Sequence, residues 1–183
     1  MAGKVEEERG RSPRESEVVM TEHILPQHTN SLGTVFGGVV MSWVDIAAAI
    51  CAERHCRKQV VTASVDALEF LAPVRLGWIM MLRASVNFVS KTSCEVGVKV
   101  MAENPRTGEN FHTASAYVTM VALDSNGRPA RMPDIIPETE EQQRRLREAK
   151  ARRIARLETK RQNAERMHQK EPDGVPVSDR SQT

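Results

Sequence analysis

The segment His28–His55, "HTNSLGTVFGGVVMSWVDIAAAICAERH", decides how the rest of the chain must be arranged. From Val39 to Ala52 only Ser42 and Asp45 are polar, and the run is rich in alanine. It therefore reads as a helix that is apolar nearly all round and is expected to be buried nearly all round. A carboxylate inside such a helix is costly unless it is paired or used. The plain reading of Asp45 is an aspartate that accepts hydrogen bonds from a neighbouring strand.

Working outward, the flanking sequence supplies what could bury the helix. "VVMTEHIL" before it reads as a first strand, ended by Pro26, and "VVTASVDALEF" after it as a second, stopped near Pro73. In "WIMMLRASVNFV" the side chains Met80, Leu82, Ala84, Val86 and Phe88 alternate with Arg83, Ser85 and Asn87, the mark of a strand with one buried face. "SCEVGVKVMAE" repeats the pattern, with Cys94, Val96, Val98 and Val100 inward and Glu95 and Lys99 outward. After the turn "NPRTGE", "FHTASAYVTMVALD" runs as a long final strand to "DSNGRP". Three successive strands joined by short turns imply an antiparallel sheet, with the single long helix buried against one face: an α+β fold.

The remainder is of a different kind. Residues 1–16 are polar and are expected to be disordered, 17–137 to form the folded domain, 138–170 to form a charged helix, and 171–183 to be a disordered end. In the charged stretch Leu146, Ile154 and Leu157 are too sparse for a sustained heptad, so it reads as a solvated helix, with partner docking or a weak coiled coil as alternatives. Its arginines lack the interleaved aromatics of a nucleic-acid surface, so no nucleic-acid partner is expected. With 183 residues at 40% hydrophobic and 27% charged, the chain is long enough for one domain with a real core. The N-terminal stretch has no apolar signal-like region and no run approaches a membrane span, so a soluble, cytoplasmic protein with no membrane partner is expected. Cys51, Cys56 and Cys94 have neither CxxC spacing nor an even count, which argues against a disulfide scaffold or structural zinc.

Two neighbours give Asp45 a chemical reading. Gly37 and Gly38 lie at the helix start, where free backbone N–H groups and the positive end of the dipole hold developing negative charge. Asn30, in the preceding loop, carries a further amide donor. These are the parts of an oxyanion site with a general base nearby, suited to attack of water on an activated carbonyl. Gly38 and Asp45 are seven residues apart, on one helix face but about 10 Å apart along the axis. Base and oxyanion donor must both come within about 3 Å of adjacent reacting atoms, which one helix does not easily arrange. Two antiparallel helices at a two-fold interface do, with Asn30 and Gly38 of one subunit facing Asp45 of the other.

The pattern H-T-N-x-x-G-x-x-F-G-G-x-x-M-x-W-x-D (28–45), then V-T-A-S-V-D-x-L-E-F-x-x-P-V-x-x-G (61–77) and S-K-T-S (90–93), closely resembles the acyl-CoA thioesterases of the hotdog fold. The resemblance spans about residues 18–137. It implies a long helix wrapped by an antiparallel five- or six-stranded sheet, pairing of two such units as a homodimer or a trimer of dimers, and hydrolysis of acyl-CoA. It further implies Asn30 and Asp45 as the catalytic pair, Gly38 as oxyanion donor and no cofactor beyond the CoA of the substrate. One departure is visible: after P-V-R-L-G this family usually has Asp, and here the residue is Trp78.

Other residues carry two readings each. His28 either orients the loop or acts directly, and Thr62 either bonds to Asp45 or merely favours strand structure. Ser90, Lys91, Thr92 and Ser93 sit at a strand turn, where the resemblance puts Lys91 at the CoA phosphates, although an exposed turn lysine is by default only solvated. Cys51 and His55 have the i, i+4 spacing of helical metal ligands, but no third ligand accompanies them and no metal is expected. Met80, Leu82 and Val86 are core by default, with some lining an acyl tunnel. A non-catalytic acyl-CoA sensor of the same fold remains the alternative to an enzyme. A dehydratase is disfavoured because the helix carries no histidine before His55.

Overall fold

The structure, a computed structural model, describes residues 10–168. Strands form where the sequence alternates: β1 (Val18–His23), β2 (Gln59–Phe70), β3 (Ile79–Val89), β4 (Ser93–Glu103) and β5 (Asn110–Leu123), with helix α1 (Gly37–Cys56) between β1 and β2. All pairings are antiparallel, in the order β1-β3-β4-β5-β2, so β1 and β2 are the two edges. The inward residues of β3, β4 and β5, among them Leu82, Val98 and Val118, are buried against Val40, Val44, Ala47, Ala48, Cys51 and Ala52 of α1. Alanines on both surfaces, such as Ala48 and Ala116, let helix and sheet approach closely. This is the architecture expected of a hotdog fold.

The helix is not buried nearly all round. Met41 is 50% and Ile46 44% exposed, and Ser42 beside them is exposed too. Five strands curl around one side of a helix, and the side carrying Met41, Ser42, Asp45 and Ile46 stays open in a single chain. The alternation of β3 also breaks. A bulge between Val86 and Phe88 turns Asn87 to a buried position, where its amide donates to Glu95 Oε1 at 3.4 Å. Gly97 is the partner that permits this, since a Cβ there would lie 2.5 Å from Asn87 Nδ2. Glu95, expected to face outward, is likewise buried.

Order begins earlier than expected. Residues 10–16 are not disordered: Ser12 caps a 3-10 turn over Pro13–Glu15, with Glu15 Oε1 accepting from Ser12 N at 3.0 Å. Arg11 bonds in register to residues 134–136, and its guanidinium donates to the carbonyl of His55 at 2.7 Å, a cation on the C-terminal end of α1. Residues 1–9, and the end segment 171–183 expected to be disordered, lie outside the described residues.

The chain divides after Ala149 into two units, and helix α2 (Glu140–His168) crosses that boundary. Its first turns are not a solvated tail. Thr139 and Gln142 cap each other, Glu138 accepts from Ser12 Oγ at 2.7 Å, and Ala149 is fully buried. In the second unit Ile154 and Leu157 are exposed, and Arg161 pairs with Glu165 at 3.5 Å. Deleting residues 138–183 should therefore lower Tm by about 5 °C, because the rest of the fold loses the bond from Ser12 Oγ to a charged carboxylate, worth about 1.5–3 kcal/mol, and the buried apolar contact of Ala149. An unchanged Tm would show that the first turns contribute nothing.

Candidate active site

Helix α1 starts without a cap. Phe36 occupies the N-cap position, where an apolar side chain offers no acceptor, and both Val39 N and Val40 N bond back to its carbonyl. Among the described residues, the N–H groups of Gly37 and Gly38 have no acceptor and are left at the positive end of the helix. Phe70 lies 3.4 Å from where a Cβ of Gly37 would be, and Phe36 2.8 Å from that of Gly38, so two exposed aromatic rings flank the donors.

Asn30 sits in the loop just before the helix, and its conformation explains what it can offer. Asn30 Oδ1 accepts from Leu32 N at 2.9 Å, from Thr34 N at 3.3 Å and from Thr34 Oγ1 at 3.2 Å. The oxygen is thus occupied by its own turn, which leaves the amide N–H₂ as the group able to meet a ligand. The loop is fastened from outside: Val35 N donates to Val74 O at 2.7 Å and Leu76 N to Gly33 O at 3.1 Å.

Asp45 lies two turns further along α1, partly buried, and accepts from Thr62 Oγ1 at 2.5 Å. Of the two readings of Thr62, the bond to Asp45 is the one present. His28 is held rather than free: its Nδ1 accepts from Leu25 N at 3.2 Å, its carbonyl accepts from Phe36 N at 2.8 Å, and its ring meets Trp43 edge-on at 5.1 Å. That is the environment of a residue that orients the loop.

Ser90–Ser93 is not brought together with these groups in one chain. The turn holds Ala122 N through Thr92 O and Met132 N through Lys91 O. It precedes Cys94, which is buried in the same core cluster as Cys51 and Cys56 of the last turns of α1, so it lies toward the C-terminal end of that helix. Cys51 and His55 do not form a ligand pair. Burial pushes the Cys51 thiol up to about 12. His55 is fully buried with Nε2 3.1 Å from Pro133 O, and since a carbonyl only accepts, Nε2 carries the proton. No group of three or more His, Cys, Asp or Glu among the described residues is placed to hold a metal.

Burial lowers the pKa of His55 below its ordinary value. The unfolded chain then binds a proton that the folded one resists, so this contribution to stability is present above about pH 6.5 and is lost as the pH falls toward the lowered value. Between pH 7 and 5, roughly, Tm should fall more steeply for the native chain than for His55→Gln. Equal slopes in a pH series of melting curves would show that His55 does not titrate this way.

The Thioesterase superfamily profile matches residues 32–109. A Bacillus subtilis relative, named as an uncharacterized acyl-CoA thioester hydrolase, is 46% identical over 129 residues, covering 70% of this chain and 75% of the relative. An apo hexameric acyl-CoA thioesterase superposes with a TM-score of 0.80 at 37% identity, over 82% of this chain and 97% of that one. An acyl-CoA hydrolase from Staphylococcus aureus, solved with butyryl-CoA and CoA, gives a TM-score of 0.78 at 32% identity, over 87% and 96%. That enzyme has also been solved with alanine replacing, separately, an asparagine, an aspartate and a threonine. Their spacings of 15 and 17 residues equal those of Asn30, Asp45 and Thr62. Fold and relatives together define a hotdog-fold thioesterase. The chain belongs to the acyl-CoA thioester hydrolases of that superfamily.

Sequence reasoning missed Phe36 and Phe70 as a rim around the oxyanion donors. Both are apolar residues of the kind that usually fill a core, yet in the single chain Phe36, at the N-cap of α1, and Phe70, at the end of edge strand β2, are exposed.

Proposed function

We propose that the chain hydrolyses acyl-CoA thioesters to a free fatty acid and CoA at sites shared between two subunits. The observation that carries this reading is the placement of uncapped N–H groups at Gly37 and Gly38 and of the Asp45–Thr62 pair along one open face of one helix. Asp45 activates the attacking water or attacks the carbonyl itself. Gly38 N–H and the Asn30 amide stabilise the oxyanion, and the CoA thiolate leaves without needing a strong general acid. The matching spacing of the altered residues in the Staphylococcus aureus enzyme supports these roles. A cytoplasmic setting fits the three free, buried thiols.

Helix rise separates Gly38 from Asp45 by about 10 Å, so they serve one carbonyl only across an antiparallel helix pair. Such a pair brings Gly38 opposite the partner's Asp45 when the two-fold passes between Met41 and Ser42, both of which are exposed. Edge strand β2, with Val61 and Val65 exposed, has a free side on which its copy can continue the sheet. The same pairing explains the place of Ser90–Ser93. The C-terminal end of α1 extends about 16 Å beyond Asp45, past the partner's reacting carbonyl, where Lys91 meets the CoA phosphates while the pantetheine arm spans the gap. The hexameric relative supports assembly of dimers into a trimer.

Thiol release from a series of acyl-CoA substrates tests the reading, with turnover of at least one expected; binding without turnover would leave an acyl-CoA sensor. A finer test concerns Thr62. Thr62→Ala removes a hydrogen bond to a charged group, worth about 1.5–3 kcal/mol, and should lower kcat at least tenfold while Thr62→Ser restores it. If Ser and Ala behaved alike, the hydroxyl would have no part in the reaction.

A further inference from the structure

Trp78 occupies the end of the segment that wraps the start of α1. Phe70, at the front of that segment, touches the Gly37 position, and the segment is then bonded onto the Asn30 loop through Val74, Arg75 and Leu76. Trp78 is thereby fixed relative to the groups assigned to the oxyanion. It stands two residues before Met80, a fully buried inward residue of β3, and packs partly buried against the core. Its indole stacks on Phe111, with ring centroids 5.5 Å apart and planes at 16°. Phe111 pairs across the sheet with buried Ala102, so the two rings lie on the helix-facing side at the end where α1 begins.

We propose that Trp78, braced by Phe111, forms the end wall of the acyl-binding space and restricts this chain to short acyl groups. The inference rests on the thioesterase reading above. An acyl chain whose carbonyl is held at Gly38 N–H and the Asn30 amide must run into apolar surroundings; Phe36 and Phe70 flank the helix-start donors, and the segment tied to the Asn30 loop leads from Phe70 to the Trp78–Phe111 stack. An aromatic ring has few rotamers, and one locked in a stack cannot swing aside as a methionine or lysine does. Methylenes fit up to the indole and clash beyond it. Trp78 is thus a specificity residue, not one that takes part in bond breaking.

The test is the chain-length profile of kcat/KM for the full-length protein, with saturated acyl-CoA substrates from acetyl to palmitoyl. The native profile should fall steeply past the short substrates. Trp78→Ala should raise kcat/KM for the longer ones by at least about tenfold while changing the shortest little, since each accommodated methylene is worth about tenfold or more. Trp78→Phe should lie between, and Phe111→Ala should shift the profile in the same direction by less. If Trp78→Ala does not fold, the Phe variant decides by the same criterion. Variants with the native profile would overturn the wall. Non-hydrolysable thioether analogues of butyryl- and dodecanoyl-CoA give the same comparison by binding. A native chain that turns over no acyl-CoA would refute the function, while the affinities would still decide whether Trp78 limits chain length.

Discussion

Asp45→Asn is expected to lower kcat by about 10² or more, the contribution usual for a general base, with affinity for CoA retained. Asparagine keeps the size of the side chain and can still accept from Thr62 Oγ1, which now meets Asp45 at 2.5 Å, so the helix and β2 stay in place. What is lost is the negative charge, and with it the ability to take a proton from water or to attack a thioester carbonyl. Unlike a disruption of packing, the substitution should cost only about 1 kcal/mol of stability, the difference between a charge-assisted and a neutral hydrogen bond from Thr62. A variant with near-native turnover would remove Asp45 from the mechanism, whichever of its two roles is considered.

The sheet was legible because β4 from Val96 to Ala102 and β5 from Ala114 to Ala122 alternate, and their inward residues, Val96, Val98 and Val100 among them, are all buried. The departures have local causes that alternation does not carry. Asn87 turns inward because a bulge and the missing side chain of Gly97 make room for it, and both depend on the pairing of β3 with β4. Order at Arg11 depends on Asp134, 123 residues away, which no local pattern links to it, whereas Ser12 has a local S-x-x-E capping box with Glu15 besides its distant partner Glu138. Thr139 and Gln142 likewise form a T-x-x-Q capping signature that was readable and marks where α2 starts. As for the candidate site, Asn30, Gly38 and Asp45 stand out in the sequence because polar and glycine residues interrupt an apolar run. The aromatic rim does not, since a buried and an exposed phenylalanine look the same before the sheet is curled. The open face of α1 points the same way: the helix reads as buried nearly all round, and in the single chain Met41 and Ile46 remain exposed because covering them takes a second copy under the proposed arrangement.

A shared site makes a quantitative demand that a single-chain site does not. Asn30→Ala and Asp45→Ala chains should each be nearly inactive alone, because every site in either homodimer lacks one group. Refolded together in equal amounts with random assortment, about half of the dimers should be mixed, by the symmetry of an isologous pair. One site of a mixed dimer then takes Asp45 from the first chain and Asn30 from the second and is complete, while the other lacks both. With mixed dimers verified by mass or by two affinity tags, thiol release should recover to about a quarter of the native rate, half the dimers times one site in two. If the mixture stays as inactive as its parts, Asn30 and Asp45 act within one chain, and the account of a site divided between two antiparallel helices is wrong.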